Sequence, residues 1–309
     1  MKTKVTVVFL VSLSFFVSKI KAQGCSDAGF CTIGNMSQHS DSYSAAKKQK
    51  LTLILSSGVG DENVFVFTPG IQYDNQLNKN WAIQAKLTGN YASGNLGTAT
   101  GMGDIIFSAT YSLNNNSNWQ TSFLLGTKLP LNNSDIRTDN KPLPMQYQSS
   151  LGTADILGGI TIKNKKWLFA SAFQLPVSGA NRNTFLPDYW NTAAAKKYVP
   201  TNTFKRTGDV LLRAGYTIIK KNKININVGL LGIYHLGKDT YINGNISNSP
   251  IALNGSEGLT LNGTTALHYT INHKFSIGLL AGVPFVVRDI RPDGLTRKFV
   301  VSPEFILKF

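Results

Sequence analysis

LGTADILGGITI (151–162), KNKK (163–166) and WLFASAFQLPVSG (167–179) form the stretch on which the fold turns. Two runs alternate apolar with small or polar residues, and a four-residue turn carrying three lysines joins them. Trp167 opens the second run and Pro176 stands nine residues after it. The same hairpin is written again as GDIIFSATYSL–NNNSN–WQTSFLLGTKLPL (103–131), and a third time as GDVLLRAGYTII–KKNK–ININVGLLGIYHLG (208–237). Alternation of this kind is the signature of a strand with two chemically different faces.

Working outward, the spacing predicts twelve strands, at about 49–58, 63–77, 81–93, 103–113, 119–131, 151–162, 167–180, 207–219, 224–237, 258–271, 275–290 and 296–309. Their connections alternate. Short turns fall at 78–80, 114–118, 163–166, 220–223 and 272–274; between them lie 94–102, 132–150, 181–206, 238–257 and 291–295, with a short 59–62 at the start. Short turns at one end, longer loops at the other and an even strand count predict an all-β, transmembrane, antiparallel up-and-down β-barrel with both termini periplasmic.

The aromatics give a separate argument. Trp81, Trp119, Trp167 and Phe275 each follow a short turn on the apolar parity, where they would make a periplasmic aromatic girdle. The final strand ends on Phe309, also on that parity, and this ending resembles the assembly signal of bacterial outer-membrane proteins. The expected setting is therefore the outer membrane, with its lipid and the barrel assembly machinery as partners.

Residues 1–22 read as a secretory signal peptide, with basic MKTK, an apolar VTVVFLVSLSFFVS and a cleavage point at Ala22. Residues 23–48 show no sustained period and read as a periplasmic arm or plug, and 49–309 as the barrel. Cys25 and Cys31, the only cysteines, fit a small disulfide loop better than a metal site, which normally takes four ligands. No cofactor is expected. The formal net charge of +15 raises nucleic acid as a partner. Many lysines sit in tight turns, four more lie in the signal segment, and no nucleic-acid-binding motif is present, so that partner is set aside.

An enzyme is the competing class. A lipid hydrolase built on such a barrel needs a histidine beside a serine nucleophile on a lipid-facing strand, and no His-x-Ser occurs. His235 and His268 point inward by parity. What recurs instead is an acid: Asp104, Asp155 and Asp209 each open a strand on the lumen-facing parity, and Glu62 holds the matching place before the second strand. One reading is a partial carboxylate ring that biases passage at the mouth. The preferred one pairs these acids with Lys86, Lys128, Arg213 or Arg288, because confined charges usually have structural partners. Leu124, Leu231, Ile233, Leu280 and Val286 are expected to face the lumen beside Gln84, Asn90, Asn225 and Asn227, a mixed lining suited to an amphipathic solute. The prolines at 130, 176 and 284 are expected to mark bulges or bends near the rim.

Gly101-x-Gly103-Asp104-Ile105, followed by Gly126-Thr127-Lys128-Leu129-Pro130, resembles the outer-membrane transporter-like family named for the meta-pathway of phenol degradation. Partial copies around Asp155–Pro176 and Asp209–Leu236 extend the resemblance over 49–309. It implies a barrel that admits small aromatic or otherwise hydrophobic compounds. The arm lies outside the family's pattern and looks like a feature of Bacteroidetes-type exported proteins. The expectation is a monomeric passive channel or uptake protein. The competing expectation is a non-conducting barrel that binds a ligand or partner.

Overall fold

The computed structural model describes residues 48–113, 118–294 and 297–309. The expected signal segment, nearly all of the arm and both cysteines lie outside these residues. Twelve antiparallel strands close into a barrel: β1 (Gln49–Gly60), β2 (Phe65–Gln76), β3 (Trp81–Gly94), β4 (Gly97–Ser112), β5 (Gln120–Pro130), β6 (Asp155–Lys163), β7 (Trp167–Pro176), β8 (Asp209–Lys221), β9 (Ile224–His235), β10 (Gly258–Thr270), β11 (Phe275–Val286) and β12 (Arg297–Lys308). Each strand pairs with its sequence neighbour. β12 closes on β1, where the backbones of Gln49 and Phe309 exchange hydrogen bonds of 3.2 and 3.1 Å. Closure leaves no unpaired sheet edge, which is what a strand protein in hydrocarbon requires.

Alternation sets the two faces. In β1, Thr52, Ile54 and Ser56 are buried and Leu51 and Leu53 are exposed. In β7, Ala170, Ala172 and Gln174 are buried while Phe169, Phe173 and Leu175 are exposed. Large apolar side chains stand outward on all twelve strands, including Ile71, Phe107, Phe123, Ile156, Leu212, Leu230, Leu267, Ile277 and Phe305. In water such a belt would be an aggregation surface; around a closed barrel it is the hydrocarbon-facing wall of a transmembrane protein.

Three short turns share one device. The side-chain oxygens of Asn78, Asn164 and Asn272 each accept two backbone N–H bonds, the second from the aromatic three residues on: Trp81 at 2.9 Å, Trp167 at 2.7 Å and Phe275 at 2.9 Å. Asn-x-x-aromatic thus closes the turn and fixes where the next strand begins.

Two expectations are corrected. Residues 94–102, read as a loop, are mostly strand: β3 and β4 stay paired as far as Gly94–Gly97 and join through Asn95-Leu96. The glycines of this stretch serve close packing. A Cβ on Gly101 would lie 2.6 Å from Ser149 Oγ, and one on Gly97, whose φ is +124°, would lie 3.1 Å from Thr138. Val286 faces outward, because a bulge puts an extra residue, Phe285, between the pairs Leu261–Val286 and Asn262–Pro284 and flips the parity beyond it. A second bulge, at Gly103-Asp104 opposite Thr88, turns Asp104 into the lumen, with Asp104 N–H donating to Thr88 Oγ1 at 3.0 Å.

Candidate functional site at the barrel mouth

Four long connections, with described residues 131–154, 177–208, 236–257 and 287–294, leave the same end of the barrel, and parts of all four fold back over it. Met145, Leu151, Phe204 and Leu253 come from three of them. They pack against Ile106, Leu124, Leu157, Leu211, Leu231 and Ile233, which β4 to β9 present to the lumen. The outer half of the barrel interior is therefore an apolar core. A second core lies above β2 to β4, where Leu143, Tyr147, Phe185, Trp190 and Tyr198 cover Val64, Ala92, Leu96 and Ala99. Tyr147 is tied to both sides of it, accepting from Leu96 N–H at 3.1 Å and lying 3.2 Å from the Tyr198 hydroxyl. Burial, with Tyr147 alongside, pushes the Tyr198 phenol above its ordinary range.

The predicted acids fall into two charged groups. In the first, Lys128 lies 2.7 Å from Asp155 and 3.8 Å from Asp104. Asp155 also accepts from Thr153 Oγ1 at 2.8 Å and from the Gln174 amide, and Asp104 accepts from the Ser150 hydroxyl. One cation thus joins β4, β5 and β6 to the loop that lies on them.

The second group is larger. Arg206 bonds Asp209 and lies 3.4 Å from Asp293; Arg288 donates to Asp293 at 2.8 Å and to the Ser256 carbonyl at 2.7 Å. His235 stands between two carboxylates, with Nδ1 2.7 Å from Asp209 and Nε2 2.8 Å from Asp239. All six side chains are buried. A ring that donates from both nitrogens is the imidazolium, and with it two arginines and one histidine balance three aspartates. Burial alone would raise the Asp293 carboxyl, but Arg288 and Arg206 hold it well below the usual carboxylate range. Burial also opposes the charge on Arg206, and Asp209 and Asp293 outweigh it and keep the guanidinium protonated.

Thr207, His235 and Asp209 have the order of a nucleophile, base and orienting acid, with Thr207 Oγ1 2.9 Å from His235 Nε2. The arrangement is structural. Thr207 gives its proton to the Gly237 carbonyl at 2.8 Å, Asp239 occupies the same ring nitrogen, and the imidazole is buried away from any substrate.

Of the other predicted residues, Lys86 and Arg213 are buried on the lumen side of β3 and β8. Glu62 stands apart from the lumen acids, on a tight turn with φ of +51°, 3.8 Å from the exposed Lys197. Trp81, Trp119, Trp167 and Phe275 all point outward at the short-turn end, and Phe309 is exposed beside them. Arg206, Asp239 and Asp293, with the pair Arg291–Asp61 at 2.7 Å, were not anticipated. Arg206–Asp209 and His235–Asp239 are close in sequence, but Asp293 and Asp61 meet arginines up to 230 residues away, and no local pattern announces those pairs.

The wall opposite the apolar core is polar and less filled. A cavity of about 60 Å³ lies where the two meet, between Thr68, Thr88, Asn90, Asp104 and Arg297 and the core residues Ile106, Met145 and Leu151. A second, of about 20 Å³, shares Thr68 and Thr88 and reaches Lys86 and Glu304. Spaces of this size hold single waters rather than a solute.

No known family profile matches the chain, and no curated protein does. Solved structures similar to it include the NanC porin (TM-score 0.47, 7% identity, covering 84% of this chain and 98% of that one). The KdgM porin in complex with disordered oligogalacturonate gives a TM-score of 0.46 at 6% identity, over 84% of this chain and 99% of that one. The translocator domain of the autotransporter NalP from Neisseria meningitidis gives 0.46 at 9% identity, over 91% and 94%. Similarity at this level concerns the barrel shape alone.

Proposed function

We propose that the chain is a bacterial outer-membrane barrel for passive passage of small amphipathic or hydrophobic molecules, with its short-turn end in the periplasm and its long loops outside. In the arrangement described here the loops shut the mouth. The observation that carries this reading is the apolar arc formed by Ile106, Leu124, Leu157, Leu211, Leu231 and Ile233 on the lumen wall. A general water-filled pore has no use for such a surface, whereas a lumen with one apolar wall and one polar wall suits an amphipathic solute. Raising the loops would expose the arc. The resemblance to the meta-pathway family supports small aromatic compounds as the solute class.

The test is uptake into proteoliposomes holding the full chain, comparing a small phenolic with a sugar of similar mass. The reading requires faster entry of the phenolic than of the sugar, by a margin absent from protein-free vesicles. Equal rates with and without protein, for both solutes, would favour the second reading, a non-conducting barrel. The packed mouth is the observation on that side.

A further inference from the structure

Between the mouth and the short turns the lumen is divided by charge. Among the described residues, the inward acids of this part are Asp74 on β2 and Glu304 on β12. Each has a lysine near it on the same side of the barrel. Lys50 lies 3.4 Å from Asp74, and Lys86 lines the same small cavity as Glu304. Asp74 also accepts from the Gln72 and Gln84 amides at 2.9 and 2.7 Å. Across the barrel, the inward rows of β6, β8 and β9 carry Lys163, Arg213, Lys220, Asn225 and Asn227, and no acid beyond Asp155, Asp209 and the mouth. Lys220 reaches its row through a bulge. Thr217 pairs with Asn227 and Ile219 with Ile226, so the extra residue Ile218 shifts the alternation by one and sets Lys220 opposite Asn225. There Lys163, Thr217, Lys220, Asn225 and Asn227 line a cavity of about 100 Å³ that has no carboxylate in its described lining. Thr217 Oγ1 donates to Asn227 Oδ1 at 2.7 Å, which occupies the oxygen of that amide; its other end is a donor. Asn225 Oδ1 is buried with no hydrogen-bond partner, and half a turn of the amide would present its N–H2 instead. Gly215 keeps the space open, since a Cβ there would meet nothing nearer than 3.7 Å.

We propose that this cavity is an anion site at the short-turn end of the lumen, taking the carboxylate of a small amphipathic solute that has passed the apolar arc. Two ammonium groups among amide donors match one carboxylate in charge and in hydrogen bonding. The volume suits that group alone, because pockets for a whole ligand run to about 300 Å³ or more. The apolar remainder of the solute stays in the lumen, on the side of Leu168, which also lines the cavity. The solute class rests on the transport reading, but binding to the folded barrel is measured without transport, so the two fail separately.

The test is titration of the full chain, folded in an uncharged detergent at mildly alkaline pH, with benzoate and with neutral benzamide, followed by ligand-observed NMR. The barrel's heat-modifiable migration in gels serves as the folding control. Wild type is expected to bind benzoate at least fivefold more tightly than benzamide. Lys163→Gln with Lys220→Gln should remove that preference while the barrel stays folded, and Lys163→Arg with Lys220→Arg should keep it. Equal binding of the two ligands by wild type, or a preference that the glutamine variant leaves unchanged, overturns the site. Binding of inorganic phosphate but not of benzoate would make this a site for mineral anions and overturn the solute class. Benzoate bound in this way by a barrel that passes no solute into vesicles would uphold the site and overturn the transport reading.

Discussion

Asp293 joins two of the connections that fold over the mouth. Its carboxylate receives two arginines from different segments, Arg206 before β8 and Arg288 after β11. Asp293→Asn would leave two buried guanidiniums short of a counter-charge, and breaking such a pair costs about 3–5 kcal/mol. The expected outcome is rapid protease cleavage within 177–208 and 236–257 with the barrel intact, read by limited digestion of the embedded protein. The pH sign follows from the depressed carboxyl. Its stabilising contribution is complete above the ordinary carboxylate range, near 3.8, and is lost only as pH falls further, through the lower folded value. The contribution of Asp293 is therefore the same at pH 7 and pH 5, so Asp293→Asn should raise protease sensitivity over wild type by a similar factor at both. A factor that shrinks markedly at pH 5 would show that the arginines do not hold this carboxyl down. At the other end of the barrel, Asn164→Ala removes two hydrogen bonds from the turn before Trp167. The expected cost is about 1 kcal/mol, measured as a lower urea midpoint for folding into vesicles, with Asn164→Asp nearly neutral.

Among the elements, strands were far more legible than loops, for a physical reason. A strand in a barrel wall repeats its environment every second residue, so β1, β7 and β9 advertise themselves through alternation alone. Bulges break that rule by one residue, which is why Val286 was placed on the wrong face while Leu231 and Ile233, on a regular strand, were placed correctly. The Asn-x-x-aromatic turns were legible but unread. In 94–102 the glycines answer to side chains of another loop, Thr138 and Ser149, and interrupt the alternation that would mark the strands. The inward folding of the loops had no local signal at all. Gly294 shows how narrowly it is fitted: its φ is +69°, and a Cβ there would lie 2.4 Å from the Met145 carbonyl oxygen. Gly294→Val should push 287–294 away from 131–154 and raise protease sensitivity in both, without changing the barrel's migration.

On the scale of the whole molecule, the barrel and its contents do different work. The wall answers to the membrane, with apolar side chains outside and closed hydrogen bonding around the ring. The interior answers to the loops, which bury an apolar arc on one side and meet the charged groups built on Asp104, Asp155 and Asp209. Those acids, with Lys128, Arg206 and His235, hold the loops over the lumen, so their first effect is on whether the mouth is open, and ion preference would follow from that. The measurement that bears most directly on this is single-channel conductance in planar bilayers, comparing the full wild-type chain with Asp293→Asn and Gly294→Val. Rare, brief openings in wild type and sustained ones in both variants are predicted. Steady conductance in wild type that neither variant changes would contradict a mouth shut by its own loops, and silence from all three would contradict a channel.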